Sequence, residues 1–190
     1  MLEITRLTVE HLTADCVTDC PAPHIAFAVR SDRNGAQLTD AELTVGDWSA
    51  KVTGDGQTGT TYKGPALLPF TTYSVQLAAK DDAGETAAAS MTFETGRMET
   101  PWKGQWITDG DYHFTEAKVS PVPMVFRREI TTDKPIARAR LYATAIGIYE
   151  VELNGKKLGD RYFAPGFTSY KSYLQYQTYD VTPFMTGHDT

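Results

Sequence analysis

A pair of carboxylates is the first feature of this 190-residue chain whose spacing could support catalysis. Glu150 and Glu152 are separated by one residue, so on a β-strand they would share a face at a separation of roughly 6.6 Å. The general acid and general base of an inverting hydrolysis lie roughly 6.5–9.5 Å apart. Parallel side chains on one strand cannot approach a bond from opposite sides, however. We therefore predict that Glu150 and Glu152 form a solvated outer face, and we assign no catalytic residue.

Two further groups could bind metal ions. Asp109 and Asp111 flank Gly110, which predicts a turn, with a calcium site as the alternative. Cys16, Cys20 and His24 follow one another at intervals of four and could be three zinc ligands.

The zinc reading is the weaker interpretation of the cysteines. No fourth ligand stands out, and Pro21 and Pro23 interrupt the segment. A Cys16–Cys20 disulfide would close a very small loop. We predict two reduced cysteines, no metal and no cofactor, as in a cytoplasmic protein.

Aromatic side chains are the remaining candidates for binding, because sugar rings stack on them. At the spacing of a strand, Tyr173 and Tyr179 would belong to a core and Tyr176 would face outward. The expected carbohydrate-binding residues are Trp102, Trp106, Tyr170 and Tyr176. The alternative for Trp102 and Trp106 is that they are packing anchors at a domain boundary.

Composition and charge exclude several classes of protein. Hydrophobic residues make up 41% and charged residues 22%, which is ordinary for a globular protein. No apolar run approaches the roughly 20 residues of a membrane span. The sequence starts without the apolar segment of a signal peptide, so we expect a cytoplasmic protein. The net charge is −6 and no basic block occurs, so nucleic acid is not an expected partner.

Alternation of polar and apolar residues dominates the first half and predicts strands that pack face to face. One face collects Ile25, Phe27 and Val29, and a later strand collects Tyr73, Val75, Leu77 and Ala79. Turn sequences separate these runs, at 31–35, 54–59 and 81–84. About seven short strands at this spacing are typical of an antiparallel sandwich.

The second half also predicts strands. Residues 124–130 alternate, with Met124, Phe126, Arg128 and Ile130 on one face. Further strands are predicted within 137–146, 148–153 and 172–182. Asn154-Gly155 predicts a tight hairpin, since both positions tolerate a positive φ.

Composition changes near residue 97. Residues 1–97 carry 7 basic and 13 acidic side chains, whereas residues 98–190 carry 11 of each. The segment at this point, residues 96–106, contains Gly96, Pro101 and Gly104. We predict three parts: a β-sandwich over 1–97, a linker with tryptophan anchors over 98–107, and a second β-domain over 108–190.

Three segments resemble a known family. Residues 67–96 resemble the last strands of a fibronectin type III or immunoglobulin-like sandwich, with Leu68-Pro69 and Tyr73 as its tyrosine corner. Residues 138–160 and 164–182 then follow in an order similar to the N-terminal region of bacterial α-L-rhamnosidases of glycoside hydrolase family 78.

The resemblance implies an all-β chain: a fibronectin type III or immunoglobulin-like sandwich, followed by a jelly-roll β-sandwich that is incomplete at Thr190. It implies a parent enzyme that hydrolyses terminal α-L-rhamnosides with inversion, without a cofactor. In such enzymes both catalytic glutamates lie in a later (α/α)₆ barrel, and no position here matches them.

The resemblance also implies partners. These are rhamnose-containing glycosides, through the parent enzyme, and the missing barrel, which the two sandwiches would support or orient. Unpaired strand edges in an incomplete sandwich favour a homo-oligomer. The alternative is a stand-alone carbohydrate-binding or interaction module without hydrolase activity.

Overall fold

The computed structural model describes residues 1–52, 58–108 and 123–190. They divide into two compact units, Met1–Lys103 and Gly104–Thr190. The described residues form β-strands, turns and one short 3₁₀ helix, which confirms the expected all-β class. The three-part division predicted at 1–97, 98–107 and 108–190 stays a prediction.

Unit 1, as far as residues 1–52 and 58–103 describe it, contains eight strands in two sheets. The strands are β1 (Leu2–Val9), β2 (Cys16–Thr18), β3 (His24–Ser31), β4 (Leu38–Val45), β5 (Trp48–Lys51), β6 (Thr60–Thr61), β7 (Thr72–Asp81) and β8 (Thr86–Thr95). One sheet has the order β1-β3-β6 and the other the order β2-β8-β7-β4-β5. Two such sheets around one core form the expected immunoglobulin-like sandwich.

The core of unit 1 follows from the alternation in the sequence. Along β7, residues Val75, Leu77 and Ala79 are buried while their neighbours are exposed. From β3, Ile25 and Phe27 are fully buried. Apolar side chains on one face of each strand thus meet between the sheets, as the sequence predicts.

One strand pair departs from the antiparallel prediction. The strand β2 runs parallel to β8, with Cys16 opposite Phe93. Between β1 and β2 the chain turns through Glu10, His11 and Asp15, all at positive φ. This turn transfers the chain from the first sheet to the edge of the second, where its direction is parallel to β8.

The described residues of unit 2, 104–108 and 123–190, form six short strands in three separate ladders. The strands are β9 (Ile130–Thr131), β10 (Arg140–Ala143), β11 (Glu152–Leu153), β12 (Lys156–Lys157), β13 (Gln177–Asp180) and β14 (His188–Asp189), with a 3₁₀ helix at Thr182–Phe184. The pairs are β10–β13, β11–β12 and β9–β14, all antiparallel. The jelly-roll form of this unit stays a prediction.

Two predictions about the strands of unit 2 are wrong. Residues 124–130 were expected to form a strand, but of these only Ile130 belongs to one, the two-residue strand β9, whose partner among the described residues is β14. Tyr173 was expected in a core and is 60% exposed. The backbone N–H groups of Ser172 and Tyr173 both bond to the carbonyl of Ser169, so a turn occupies this segment and β13 begins only at Gln177.

The predicted hairpin is confirmed. Asn154 and Gly155 both have positive φ, at 53° and 73°, and connect β11 to β12. These values are those of the turn that matches the twist of two short antiparallel strands.

Candidate functional site

The exposed apolar side chains of unit 2 include a group within residues 146–173 and a smaller one within residues 124–130. Six of them, between 60% and 94% exposed, lie within residues 146–173 and are called the apolar patch: Ile146, Ile148, Tyr162, Phe163, Phe167 and Tyr173. Large exposed groups of apolar side chains mark interaction or ligand sites in soluble proteins. The apolar patch is therefore the candidate functional site.

Two hydrogen bonds hold the segments of the apolar patch together. The backbone N–H of Gly147 donates to the hydroxyl of Tyr170 at 3.1 Å. The N–H of Tyr149 donates to the carbonyl of Ala164 at 2.8 Å. Ile146 and Ile148 therefore lie beside the segment that carries the aromatic members.

The backbone geometry explains why the aromatic side chains face outward. Phe163 has a φ of 57°, a region that bulky residues rarely occupy. The next two residues, Ala164 and Pro165, are buried, and Gln177 donates to the carbonyl of Pro165 at 3.0 Å. Ala164-Pro165 thus anchors the segment while Phe163 and Phe167 on either side are exposed.

A shallow depression lies at one end of the apolar patch. Its volume is about 660 Å³ and it is lined by Phe167, Thr168, Ser169, Tyr170, Lys171 and Tyr173. The ring centroid of Phe167 lies 5.8 Å from that of Tyr170. Aromatic faces beside a hydroxyl and an ammonium group can contact either a sugar ring or an apolar protein segment.

The predicted carbohydrate-binding residues are not brought together at this depression. Tyr170 lines it, whereas Tyr176 is half-buried with its ring 6.0 Å from that of Tyr142. Trp106 belongs to unit 2 and is mostly exposed. Trp102 belongs to unit 1. The binding role of these four residues stays a prediction.

Trp102 makes a contact within unit 1. The guanidinium carbon of Arg97 lies 3.9 Å from the centroid of the indole. Arg97 itself is buried and also donates to the carbonyl of Thr100. Just before it, the N–H of Gly96 donates to Thr18 at 2.9 Å. The start of the predicted linker is therefore folded onto unit 1.

The carboxylate pair lies on a solvated face, as predicted. Glu150 forms an ion pair with Lys157, and its side chain is 58% exposed. Glu152 lies opposite Lys157 in the β11–β12 ladder and is also exposed. The other candidate pair, Asp109 and Asp111, lies outside the described residues.

The cysteines are free thiols. Cys16 is buried and its Sγ donates to the carbonyl of Val9 at 3.4 Å. Burial, with a smaller contribution from Glu10, raises the pKa of Cys16 to about 11. A ring nitrogen of His24 lies 2.8 Å from the carbonyl of Thr58. Within residues 1–52, 58–108 and 123–190, no three histidine, cysteine or acidic side chains are placed to hold a metal ion.

Sequence reasoning missed most of the apolar patch. Of the residues that line its depression, Tyr170 was predicted to bind a sugar and Tyr173 was assigned to a core. Phe163 and Phe167 flank the sequence Ala164-Pro165-Gly166, and an aromatic on each side of a Pro-Gly turn was the available signal. Alternation alone assigns an apolar residue to a core, so it cannot identify an exposed one.

Two family models match the chain, one in each unit. A Rha78A-like N-terminal immunoglobulin domain matches residues 4–99, and an α-L-rhamnosidase N-terminal domain matches residues 134–189. The two matches follow one another in the order that the resemblance implies.

The curated relatives that match this chain are also α-L-rhamnosidases. An α-L-rhamnosidase of Streptomyces avermitilis is 59% identical over 49 residues, which are 26% of this chain and 5% of that protein. An α-L-rhamnosidase of Alteromonas sp. is 36% identical over 104 residues, which are 50% of this chain and 11% of that protein.

A solved structure is similar over almost the whole chain. It is the α-L-rhamnosidase from Dictyoglumus thermophilum, with a TM-score of 0.83 and 25% identity. The match covers 98% of this chain and 24% of that one. This chain thus spans a small part of the length of the rhamnosidases it matches.

No helix among the described residues is long and apolar enough to cross a membrane.

Proposed function

Since this chain belongs to the Rha78A-like family and is an N-terminal region of an α-L-rhamnosidase, we propose that its parent enzyme hydrolyses terminal α-L-rhamnosides with inversion. The two β-domains would be accessory parts that support or orient a catalytic (α/α)₆ barrel. The observation that carries this proposal is that each unit matches a family model of a rhamnosidase N-terminal domain.

The chemistry of the described residues supports a non-catalytic role for this chain. Inverting hydrolysis needs two carboxyl groups on opposite sides of the scissile bond. Glu150 and Glu152 lie on one solvated face, and Lys157 already pairs with Glu150. The rhamnoside would therefore be bound and cleaved by the rest of the parent enzyme.

We also propose that the protein is located in the cytoplasm. Cys16 and Cys20 are free thiols, which fits the reducing conditions of the cytoplasm. A homo-oligomer of the isolated chain, formed through unpaired strand edges, is a further expectation that gel filtration tests.

An activity assay tests the proposed function. The protein encoded by the complete reading frame and the 190-residue chain are purified and assayed with an aryl α-L-rhamnoside. We expect hydrolysis by the complete protein and none by the chain. NMR of the first sugar released should show the β-anomer, which is the product of inversion. Hydrolysis of another glycoside in place of the rhamnoside, or activity of the chain alone, would contradict the proposal.

The depression at Phe167, Tyr170 and Tyr173 favours a second candidate, a carbohydrate-binding module. It predicts that L-rhamnose perturbs the NMR signals of Phe167 and Tyr173 in the 190-residue chain. Tyr173→Ala should abolish this response, and Phe126→Ala, at an exposed aromatic outside the depression, should leave it intact. If L-rhamnose causes no shift of these NMR signals, even at concentrations well above the dissociation constants of ordinary lectins for sugars, this candidate fails.

A further inference from the structure

The apolar patch of unit 2 is unusual because its side chains are exposed although the backbone beneath them is firmly held. Ala164 is buried, Tyr149 bonds to its carbonyl, and Gly147 bonds to Tyr170. The exposure of the patch is therefore built into the fold rather than a consequence of a loose loop. A surface that is fixed and apolar is suited to a partner with a matching shape.

The composition of the patch distinguishes between classes of partner. A sugar ring stacks on a flat aromatic face, which the depression at Phe167 and Tyr173 provides. Ile146 and Ile148 are branched aliphatic side chains, 65% and 69% exposed, and offer no such face. Aliphatic and aromatic side chains together are typical of a contact between protein domains.

The relatives are much longer than this chain. The solved α-L-rhamnosidase from Dictyoglumus thermophilum has this fold over 98% of the chain, yet the match covers only 24% of that protein. The α-L-rhamnosidase N-terminal domain model also matches the residues that carry the patch. The solved rhamnosidase is therefore much longer than the region that carries the apolar patch.

We propose that the apolar patch is the docking surface for the part of the parent chain that follows this region. This inference rests on the proposed function, since it takes its partner from the rhamnosidase family. Phe163 and Phe167 would enter the interface from either side of Ala164-Pro165. Ile146 and Ile148 would extend the contact along the neighbouring segment.

Hydroxyl-radical labelling with mass spectrometry tests the proposal. The 190-residue chain and the protein from the complete reading frame are labelled side by side. We expect Phe163 and Phe167 to be oxidised readily in the chain and roughly an order of magnitude more slowly in the complete protein, because a domain interface excludes water. Equal labelling in the two proteins would overturn the proposal, and so would a reading frame that ends at Thr190.

Substitutions in the complete protein provide a second measurement. Ile148→Ser should lower the melting temperature of the complete protein and leave that of the 190-residue chain nearly unchanged. The matched control is Leu68→Ser, since Leu68 is 64% exposed and belongs to unit 1. An equal loss in the control, or no loss in either variant, would overturn the proposal.

Four outcomes separate this inference from its alternatives. Protection of Phe167 by L-rhamnose in the isolated chain would assign the patch to a sugar, and protection that appears only at high chain concentration would assign it to a second copy. Either would overturn the docking proposal. Activity on the aryl α-L-rhamnoside is measured in the same samples. Hydrolysis without protection would contradict the docking surface alone, and protection without hydrolysis would contradict the proposed function alone.

Discussion

The side-chain amide of Asn154 donates a hydrogen bond to Oδ1 of Asp189 at 2.7 Å. This bond joins the turn between β11 and β12 to the strand β14. The backbone of Asn154 also bonds to the carbonyl of Thr190, at 2.6 Å, and its side-chain oxygen accepts from the N–H of Thr190 at 2.9 Å. A residue that the sequence assigns to a hairpin thus also holds the last strand of unit 2.

The carboxylate of Asp189 is fully buried, and its charge is stabilised by hydrogen bonds. Besides Asn154, the N–H and the hydroxyl of Thr186 donate to it at 2.7 Å, and the N–H of Gly187 donates at 3.1 Å. These bonds, Asn154 first, outweigh the opposing effect of burial and lower the pKa of Asp189 to about 2.

The lowered pKa predicts an acid-sensitive unit 2. Because Asp189 binds its proton more weakly in the folded chain, its contribution to stability is complete above about pH 4 and is lost as the pH falls towards 2. Asp189→Asn should destabilise unit 2 at neutral pH and flatten the loss of stability between these pH values. Urea titrations followed through the amide NMR signals of unit 2 measure both effects. If wild type and variant lose stability with the same slope, the prediction is wrong.

The tyrosine corner of unit 1 gives a second prediction. The hydroxyl of Tyr73 accepts a hydrogen bond from the N–H of Leu68 at 2.8 Å, and its ring stacks on Phe93. Tyr73→Phe keeps the ring and removes the acceptor, so unit 1 should lose about 1 kcal/mol of unfolding free energy. Urea denaturation followed by tryptophan fluorescence measures this. Tyr162→Phe, at a mostly exposed ring, is the control, and equal stability of the two variants would refute the assignment.

Local features of the fold were predictable because a few adjacent residues determine them. The positive φ values of Asn154 and Gly155 follow from a short sequence with one favourable geometry. The tyrosine corner at Tyr73 follows from the resemblance of residues 67–96 to an immunoglobulin-like sandwich. The buried face of β7 follows from the alternation of apolar and polar residues over 73–79, which fits a strand and not a helix. These predictions are confirmed.

Features that depend on distant partners were not predictable. Residues 124–130 alternate correctly, but a strand also needs a neighbouring backbone, and β14 provides one only for Ile130–Thr131. Tyr173 has the spacing of a core residue, yet the turn at Ser169 exposes it. The apolar patch was missed for the same reason, since exposure depends on what the rest of the fold leaves uncovered.

Two glycines of unit 1 provide a matched test of packing at a turn. Gly46 and Gly59 both have positive φ, at 57° and 67°. A Cβ at Gly46 would meet no atom within 4 Å, whereas one at Gly59 would collide with the carbonyl of Ile25 and lie 2.7 Å from the ring of His24. Both alanine variants lose stability through the unfavourable φ.

The collision should separate the two variants. Gly59→Ala should cost about 1–3 kcal/mol more than Gly46→Ala, because the backbone of β3 cannot move aside. Urea denaturation of the wild-type chain and of the two variants measures the difference in unfolding free energy. Equal stability of the two variants would show that the segment at Gly59 shifts without cost.

The thiols of unit 1 should react at different rates. Burial raises the pKa of Cys16 to about 11, so at about pH 8 very little of this thiol is ionised to the thiolate. The side chain of Cys16 is also shielded from solvent. Iodoacetamide should modify Cys20 first and Cys16 only after unfolding in urea. Mass spectrometry of tryptic peptides follows both reactions. Cys20→Ser is the control and should leave the folded chain unmodified, so rapid labelling of that variant would contradict the buried position of Cys16.

The carboxylates on the outer face of unit 2 give a functional prediction. Glu150→Gln and Glu152→Gln, introduced into the complete protein, should leave hydrolysis of an aryl α-L-rhamnoside unchanged, because both side chains lie on a solvated face. Removing the ion pair with Lys157 should change the unfolding free energy little, because ion pairs at the surface contribute little. Lys157→Gln breaks the same pair from the other side and also removes the ammonium group that lies 4.3 Å from the ring centroid of Tyr162, so it should cost at least as much as Glu150→Gln. A fall in kcat of several orders of magnitude in either glutamate variant, with the fold intact, would place catalysis in this region and overturn its accessory role.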